Sequence, residues 1–296
     1  MQARRHRKNT GVPRLRLGMT SDVQTGLATT INAVQAPDQQ LQILRIYNRL
    51  IQLREDWAGA LVFSCGAEAP RSGLAPAASI AGATSLLVAE DGHEIKKTLR
   101  RGEIDFVVNT LDEAIRTLKN EVRKKRPLSV ALIGDVDATL AEMIERGIKP
   151  DVFLAGDAYP AAAQALIDSG VPRLNVVQSS AEPSAPAETA HGEQLHELFI
   201  ATKTPTKLRE ADERILRMLP KDETARRRWI ERASHYLRSA SEGRWVNLTG
   251  GEAFLLESEG LKLHDVGPVA VEPEATPSSP KDATPASPAE SQPTEL

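Results

Sequence analysis

Cysteine, aromatic residues and long apolar runs are all scarce in this 296-residue chain. Cys65 is its only cysteine, which excludes an internal disulfide and a zinc site built from several thiolates. The six histidines lack the spacing of a motif such as H-E-x-x-H, so we expect no metal site. A chain without disulfides suits a reducing, cytoplasmic location.

The chain also lacks an excess of charge of either sign. It has 37 Lys plus Arg against 40 Asp plus Glu, a formal net charge of −3. Such a chain has no general attraction to nucleic acid or to a membrane surface. Its longest apolar runs, such as residues 60–63 and 86–89, are far shorter than the about 20 residues that span a bilayer. We therefore expect no membrane association.

The two ends of the chain differ from its middle. Residues 1–20 contain basic side chains and no acid before Met19, which is itself an alternative start to Met1. This leader is either disordered or a basic arm that contacts anions, including nucleic acid. Residues 267–296 are rich in proline and contain no aromatic residue, so they cannot bury enough apolar area to fold. A Pro- and Ala-rich stretch at 179–193 is a predicted linker or surface loop.

The folded parts are therefore predicted at 21–178 and 194–266. From residue 60 onward, short apolar runs alternate with helical stretches, the pattern of a doubly wound α/β fold with a parallel sheet. Thr110 is a predicted N-cap before Leu111, Ile115 and Leu118, which recur at helical spacing. A second helix follows through Leu140, Ile144 and Ile148. The predicted strands are Ala60–Ser64, Ser85–Ala89, Ile104–Asn109, Ser129–Ile133, Val152–Ala155 and Leu174–Val177.

Further helices flank this sheet. An apolar stripe that includes Leu41, Leu44 and Tyr47 predicts a helix over 38–55. Two more helices are predicted at 207–219 and 222–241 as part of the same domain. A last strand at 244–248 is predicted to join the edge of the sheet.

Ligands of open parallel sheets bind beyond the carboxyl ends of the strands, where the strand order reverses. The loop after the first strand runs from Cys65 to Gly73. The motif of a dinucleotide-binding loop is G-x-G-x-x-G, but here Glu68 and Arg71 occupy the second and third glycine positions. The candidate ligand contacts in this loop are Gly66, Arg71, Ser72 and Gly73.

Three later loops carry polar residues that reach the same edge. Each has a functional and a structural interpretation. Glu90, beside Asp91, either binds a ribose or belongs to a helix N-terminus. Asp135, after Gly134, either lines the crevice or caps a helix. Asp157 and Tyr159 either hold a polar ligand or are ordinary loop residues.

A cluster of basic residues runs from the predicted helix over 222–241 into the predicted strand that follows it. It either grips a phosphate-rich partner or forms a solvated face bridged by nearby acids. We favour the solvated face, because Trp229 and Tyr236 suit core packing better than base stacking. Its members are Arg226, Arg227, Arg228, Arg232, His235, Arg238 and Arg244.

Several short motifs follow one another in the order and at the spacing of a known family. Ser64-Cys65-Gly66 and Ala81-Gly82-Ala83 bracket a segment as long as that family's glycine loop and helix. Leu128 to Gly134 and Glu145 to Asp151 are similar to its later strand-and-turn motifs, the second of which reads K-R-G-V-R-P-D in the family. Through these motifs the stretch Trp57–Asp151 resembles the central nucleotide-binding domain of urocanase (urocanate hydratase).

The resemblance implies a Rossmann-like fold, a dimer, and bound NAD that acts as an electrophile toward urocanate. The residues that serve this chemistry differ here. Of the family's loop G-L-G-G-M-G-G-A-Q only Gly66 is kept, and Asp135 stands in place of an Asn. The family's segments Y-G-N-N-I-R and F-C-R-G-V-G-P have no counterpart between Tyr159 and Leu219, and Cys65 lies elsewhere in the fold.

Three hypotheses follow. The first is a urocanase-like binding or interaction module without hydratase activity, which holds a nucleotide or small anion. The second is an NAD-dependent hydro-lyase, with catalytic residues drawn from Glu68, Asp135, Asp157 and Tyr159. The third is contact with an anionic partner or nucleic acid through the basic arm, residues 4–16.

Overall fold

A computed structural model describes residues 25–66, 73–155, 159–175, 188–189, 191–237 and 243–265, with the backbone alone for 25–38 and 265. The predicted basic leader and Pro-rich tail, and most of the predicted linker, lie outside these residues.

The larger sheet has six parallel strands in the order β3-β4-β2-β1-β5-β6. All six predicted strands are present with small shifts at their ends, although the sixth is described only as far as Asn175. The doubly wound α/β fold predicted from the sequence is confirmed. The strands are β1 (Leu61–Cys65), β2 (Thr84–Ala89), β3 (Phe106–Val108), β4 (Leu128–Ile133), β5 (Val152–Ala155) and β6 (Arg173–Asn175).

Helices cover both faces of this sheet, as its nearly continuous apolar strands require. Thr110 caps its helix as predicted, since its hydroxyl accepts a hydrogen bond from the Glu113 N–H at 3.3 Å. The helix through Leu140 ends at Glu145, before Ile148. The predicted apolar face is wrong at Ile144, which is 41% exposed. The helices are α2 (Leu74–Ala81), α3 (Gly92–Arg100), α4 (Leu111–Lys124), α5 (Val136–Glu145) and α6 (Ala163–Asp168).

The N-terminal helix α1 (Thr25–Leu53) begins earlier than the predicted residue 38. Its predicted stripe is confirmed, because Leu41, Leu44 and Tyr47 are buried. They pack with α2 over the sheet face that carries Val62. On the opposite face, α4, α5 and α6 pack over the apolar side chains of the same strands.

The C-terminal part builds a second sheet. Two predicted helices are present as α7 (Pro205–Met218) and α8 (Thr224–Tyr236). The predicted final strand, β8 (Gly243–Leu248), does not join the parallel sheet. It pairs antiparallel with β7 (His196–Ala201), which pairs in turn with β9 (Lys262–Asp265) after the short helix α9 (Gly250–Ser258). The predicted sheet edge is wrong because β8 pairs with β7, a strand that was not predicted.

The two sheets share one core. Trp229 of α8 and Trp245 of β8 belong to the same buried cluster as Tyr47 of α1 and Val62 of β1. Among the residues that the structure describes, no helix is long and apolar enough to span a bilayer.

Candidate functional site

Loops from neighbouring strands meet at the carboxyl edge of the parallel sheet. The sheet order places β1 between β2 and β5, which is the point where the winding reverses. The Gly66 N–H donates to the Val88 carbonyl at 2.9 Å, and the Gly134 N–H donates to the Ala89 carbonyl at 3.1 Å. Gly66, Glu90 and Gly134, which were predicted separately, therefore lie at one edge. This edge is the candidate crevice.

Two glycines bracket the loop after β1. Gly66 has φ +100°, a conformation that favours glycine, and a Cβ added there would meet nothing within 4 Å. Gly73, at φ +69°, precedes α2, and a Cβ there would lie 2.7 Å from the Ile43 Cγ1 atom. Packing against α1 is therefore enough to require Gly73. The other predicted contacts of this loop, Arg71 and Ser72, lie outside the described residues, as does Glu68.

Of the two acids after β2, Asp91 belongs to a helix N-terminus and Glu90 is available for a ligand. The Asp91 Oδ1 atom accepts hydrogen bonds from the backbone N–H groups of His93 at 2.9 Å and Glu94 at 3.2 Å, so it caps α3. Glu90 is exposed, and its carboxylate makes no hydrogen bond or ion pair to another described residue. Glu90 is thus the acid that remains free to meet a ligand.

Asp135 is used as a helix cap. Its Oδ1 atom accepts a hydrogen bond from the Ala138 N–H at 2.6 Å, and its carbonyl accepts one from the Thr139 hydroxyl at 2.7 Å. The capping interpretation is confirmed. A Cβ added at Gly134 would lie 3.8 Å from the Thr139 Oγ1 atom, an ordinary contact. Packing among the described residues does not require a glycine at this position.

The Cys65 thiol at the end of β1 is unreactive at neutral pH. Burial, together with the smaller effect of the negative charge of Asp137, raises the pKa of Cys65 to about 12. Since the thiolate is the nucleophilic form, Cys65 is inert at neutral pH.

Tyr159 is held in place by its neighbours. Its hydroxyl donates to the Gln164 Oε1 atom at 2.8 Å. The guanidinium of Arg173 lies 4.4 Å from the centre of its ring, and the Phe153 ring meets it edge-on at 6.0 Å. These contacts fix the ring as a part of the packing beside β5. Asp157, its predicted companion, lies outside the described residues.

A known family model matches the part of the chain that builds this edge. Residues 42–158 match the family model described as the urocanase Rossmann-like domain. Over this segment, which is less than half of the chain, the protein is similar to a urocanase Rossmann-like domain. The matched segment runs from α1 to just beyond β5 and includes the whole predicted stretch Trp57–Asp151.

The arginine cluster lies outside the matched urocanase domain, and much of it points inward. Arg226 and Arg244 are only 7% and 1% exposed, so the predicted solvated face is wrong for them. Because both guanidinium groups are buried, they are not accessible to a phosphate-rich partner. The described arginines of α8 donate to backbone carbonyls of Asn247, Leu216, Leu219, Glu55, Ala81 and Ile80.

Metal binding finds no support in the described part of the chain, where no three His, Cys, Asp or Glu side chains form a group able to hold an ion. Sequence reasoning also missed a polar pair on the far side of α1. The Asn247 Nδ2 group donates to the Asn48 Oδ1 atom at 2.8 Å across 199 residues of sequence, a separation at which no local pattern signals a contact.

Proposed function

We propose that this protein is a urocanase-related module that binds a small ligand at the carboxyl edge of its parallel sheet and has no hydratase activity. The observation that carries the proposal is the state of the polar groups described there. Asp91 and Asp135 cap helices, Tyr159 is bonded to Gln164, and Cys65 stays protonated. A hydratase needs an acid–base group that is free to exchange a proton with its substrate. None of these four groups is free in that sense, and the free carboxylate described there, Glu90, stands at the position of a ribose contact.

A nucleotide suits the groups that remain. Glu90 follows β2, the position from which an acid contacts a ribose in this fold class. Helix α2 begins after Gly73 at the same edge, and the N-terminus of a helix favours an anion. These residues fit the ribose end of NAD, which supplies an electrophilic ring when bound in the family. They do not fit the accompanying proton transfer, so we assign no reaction step through NAD.

The test measures binding and activity on the full chain. We expect calorimetry to detect AMP or NAD binding with a dissociation constant weaker than about 1 µM. Glu90→Ala should weaken that binding at least about tenfold, because a hydrogen bond to a charged group is lost. Glu145→Ala, which removes an exposed acid at the end of α5, is the matched control and should leave binding unchanged.

The activity arm mixes the protein with urocanate and NAD and follows the ultraviolet absorbance of urocanate. We expect no consumption. Consumption that needs NAD would overturn the proposal in favour of the hydro-lyase. Failure to bind AMP, NAD or inorganic phosphate would overturn the binding function itself. Strongly salt-dependent nucleic-acid binding that disappears when residues 1–20 are deleted would favour the basic arm instead.

A further inference from the structure

A cavity of about 170 Å³ lies between α1, α8 and β8, and it shares no residue with the crevice. Its walls combine apolar and aromatic side chains with polar ones. The rings of Tyr47 and Trp229 line it with centres 5.2 Å apart. The polar groups of both side chains already have partners. The Tyr47 hydroxyl donates to the Ala225 carbonyl at 2.6 Å, and the Trp229 indole N–H donates to the Trp245 carbonyl at 2.9 Å. These two side chains therefore present ring carbon to the cavity.

Two amide side chains form a hydrogen-bonded pair in the lining, which also includes the exposed amide of Gln52. Asn48 and Asn247 both line it and are joined by one hydrogen bond of 2.8 Å, from Asn247 Nδ2 to Asn48 Oδ1. That bond leaves the Asn48 Nδ2 group as a donor and the Asn247 Oδ1 atom as an acceptor, and neither has another partner among the described residues. A ligand that offers one carbonyl and one N–H group would satisfy both.

The charges around the cavity disfavour an anion. Arg226 lines it, but its guanidinium forms an ion pair with Glu252 and lies 3.8 Å from a carboxylate oxygen of Glu223. Glu188 adds a further carboxylate at the exposed side of the lining. With three carboxylates around one guanidinium, the local charge is negative, and an anionic ligand would be repelled.

The volume sets the size of the occupant. An engineered apolar cavity of about 150 Å³ in another protein accepts benzene. A cavity of about 170 Å³ therefore has room for a single six-membered ring with a small substituent. A flat ring would also stack against aromatic side chains in its walls.

We propose that this cavity is a second ligand site, which takes a neutral six-membered ring carrying a lactam or carboxamide edge. The ligand carbonyl accepts a hydrogen bond from the Asn48 Nδ2 group, and the ligand N–H donates to the Asn247 Oδ1 atom. The ring lies among Tyr47, Trp229 and the aliphatic walls. This site goes beyond the function proposed for the crevice and does not depend on it.

The test uses 2-pyridone, a neutral lactam ring, and calorimetry on the full chain. We expect a dissociation constant on the order of 0.1–1 mM, which is unchanged by saturating AMP. Asn48→Leu should weaken binding about tenfold through the lost hydrogen bond, whereas Asn120→Leu, at an exposed position of α4, should have no effect. Ala225→Met should abolish binding, because it fills the cavity from its lining. Thermal unfolding of each variant establishes that it folds.

Each contrary result overturns the proposal in its own way. Toluene that binds as well as 2-pyridone, with no effect of Asn48→Leu, would reduce the site to an apolar hole. Binding that survives Ala225→Met would place the ligand elsewhere. Benzoate that binds as tightly as 2-pyridone would contradict the charge argument, and a wild-type chain that binds no 2-pyridone would remove the site altogether.

Discussion

Among single residues, Arg244 and Asp212 form the most deeply buried ion pair described in this fold. Arg244 is 1% exposed, and its Nη1 atom lies 2.8 Å from the Asp212 Oδ2 atom. Burial raises the pKa of Asp212 to about 6, against the opposing effect of the Arg244 charge, and burial likewise lowers the pKa of Arg244. Both members are charged at neutral pH at the expense of lost hydration.

This pair makes part of the stability depend on pH in an unusual direction. The pKa of the Asp212 carboxyl rises on folding, from 3.8 to about 6. Its contribution is therefore fully present below pH 3.8 and is lost as the pH rises through 6. Relative to the double variant Asp212→Leu/Arg244→Met, the wild type should lose on the order of 3 kcal/mol between pH 4 and 7. Urea unfolding at several pH values measures this difference, and parallel curves would contradict it.

The single variant Arg244→Met should behave differently, because it leaves a buried carboxylate without its cation. At pH 7 it should destabilise the fold by about 3–5 kcal/mol. Arg54→Met, at the exposed pair with Asp151, should cost less than about 1 kcal/mol and is the matched control.

Individual residues were predictable from sequence where the chemistry is local. Thr110 and Asp135 cap helices because a short oxygen-bearing side chain directly precedes a helical pattern. The partners of Arg244 were not predictable, since they come from α7 and α8, and a buried arginine has the same letter as an exposed one.

On the scale of elements, α2 shows how a short helix is fixed by its neighbours. All of its residues, Leu74–Ala81, are buried. At its C-terminal end the Arg228 Nη1 atom lies 3.5 Å from the Ala81 oxygen and the Arg232 Nη1 atom lies 3.5 Å from the Ile80 oxygen. Arg228 also donates to the Glu55 carbonyl, outside the helix, at 2.8 Å. These cations also complement the negative end of the helix dipole.

Arg228→Met should therefore destabilise the protein by about 1.5–3 kcal/mol, since hydrogen bonds from a charged donor are lost while the apolar stem remains. Arg116→Met, at an exposed position of α4, should change stability by less than about 0.5 kcal/mol. Chemical denaturation of both variants decides the matter, and equal effects would mean that the Arg228 contacts are incidental.

The elements that sequence reasoning missed belong to the small sheet. Strand β7 has an alternating burial pattern, and β9 is short and polar, so neither resembles the continuous apolar runs of the parallel strands. Helix α9 did carry a signal. Thr249 and Glu252 form a capping box, which the T-x-x-E spacing encodes directly.

For the whole molecule, the shared core couples the two sheets. Apolar residues of β1 and β5 from the parallel sheet lie in one cluster with residues of β7 and β8 from the antiparallel sheet. A core that crosses both sheets leaves no apolar boundary along which they can separate without exposing it.

The sheets should therefore unfold together. In a Trp57→Phe variant, which removes the third tryptophan, fluorescence reports on Trp229 and Trp245 near the small sheet. Alkylation of Cys65 in the same variant reports on the opening of β1, because its thiol is protected in the fold. We expect the two probes to give the same urea midpoint. A midpoint for Cys65 that differs from the fluorescence midpoint would show that the sheets open separately.

Because of that shared core, the end of the family match and the end of the folding unit are different positions in the chain. The family match ends at residue 158, whereas the apolar cover of α1 and α2 is completed by α8 and β8, far downstream. A fragment cut at the edge of the match would carry a bare apolar face and should aggregate. The segment that matches the family is thus smaller than the part of the chain that folds around one core. A fragment meant to stay soluble should therefore extend at least to residue 265.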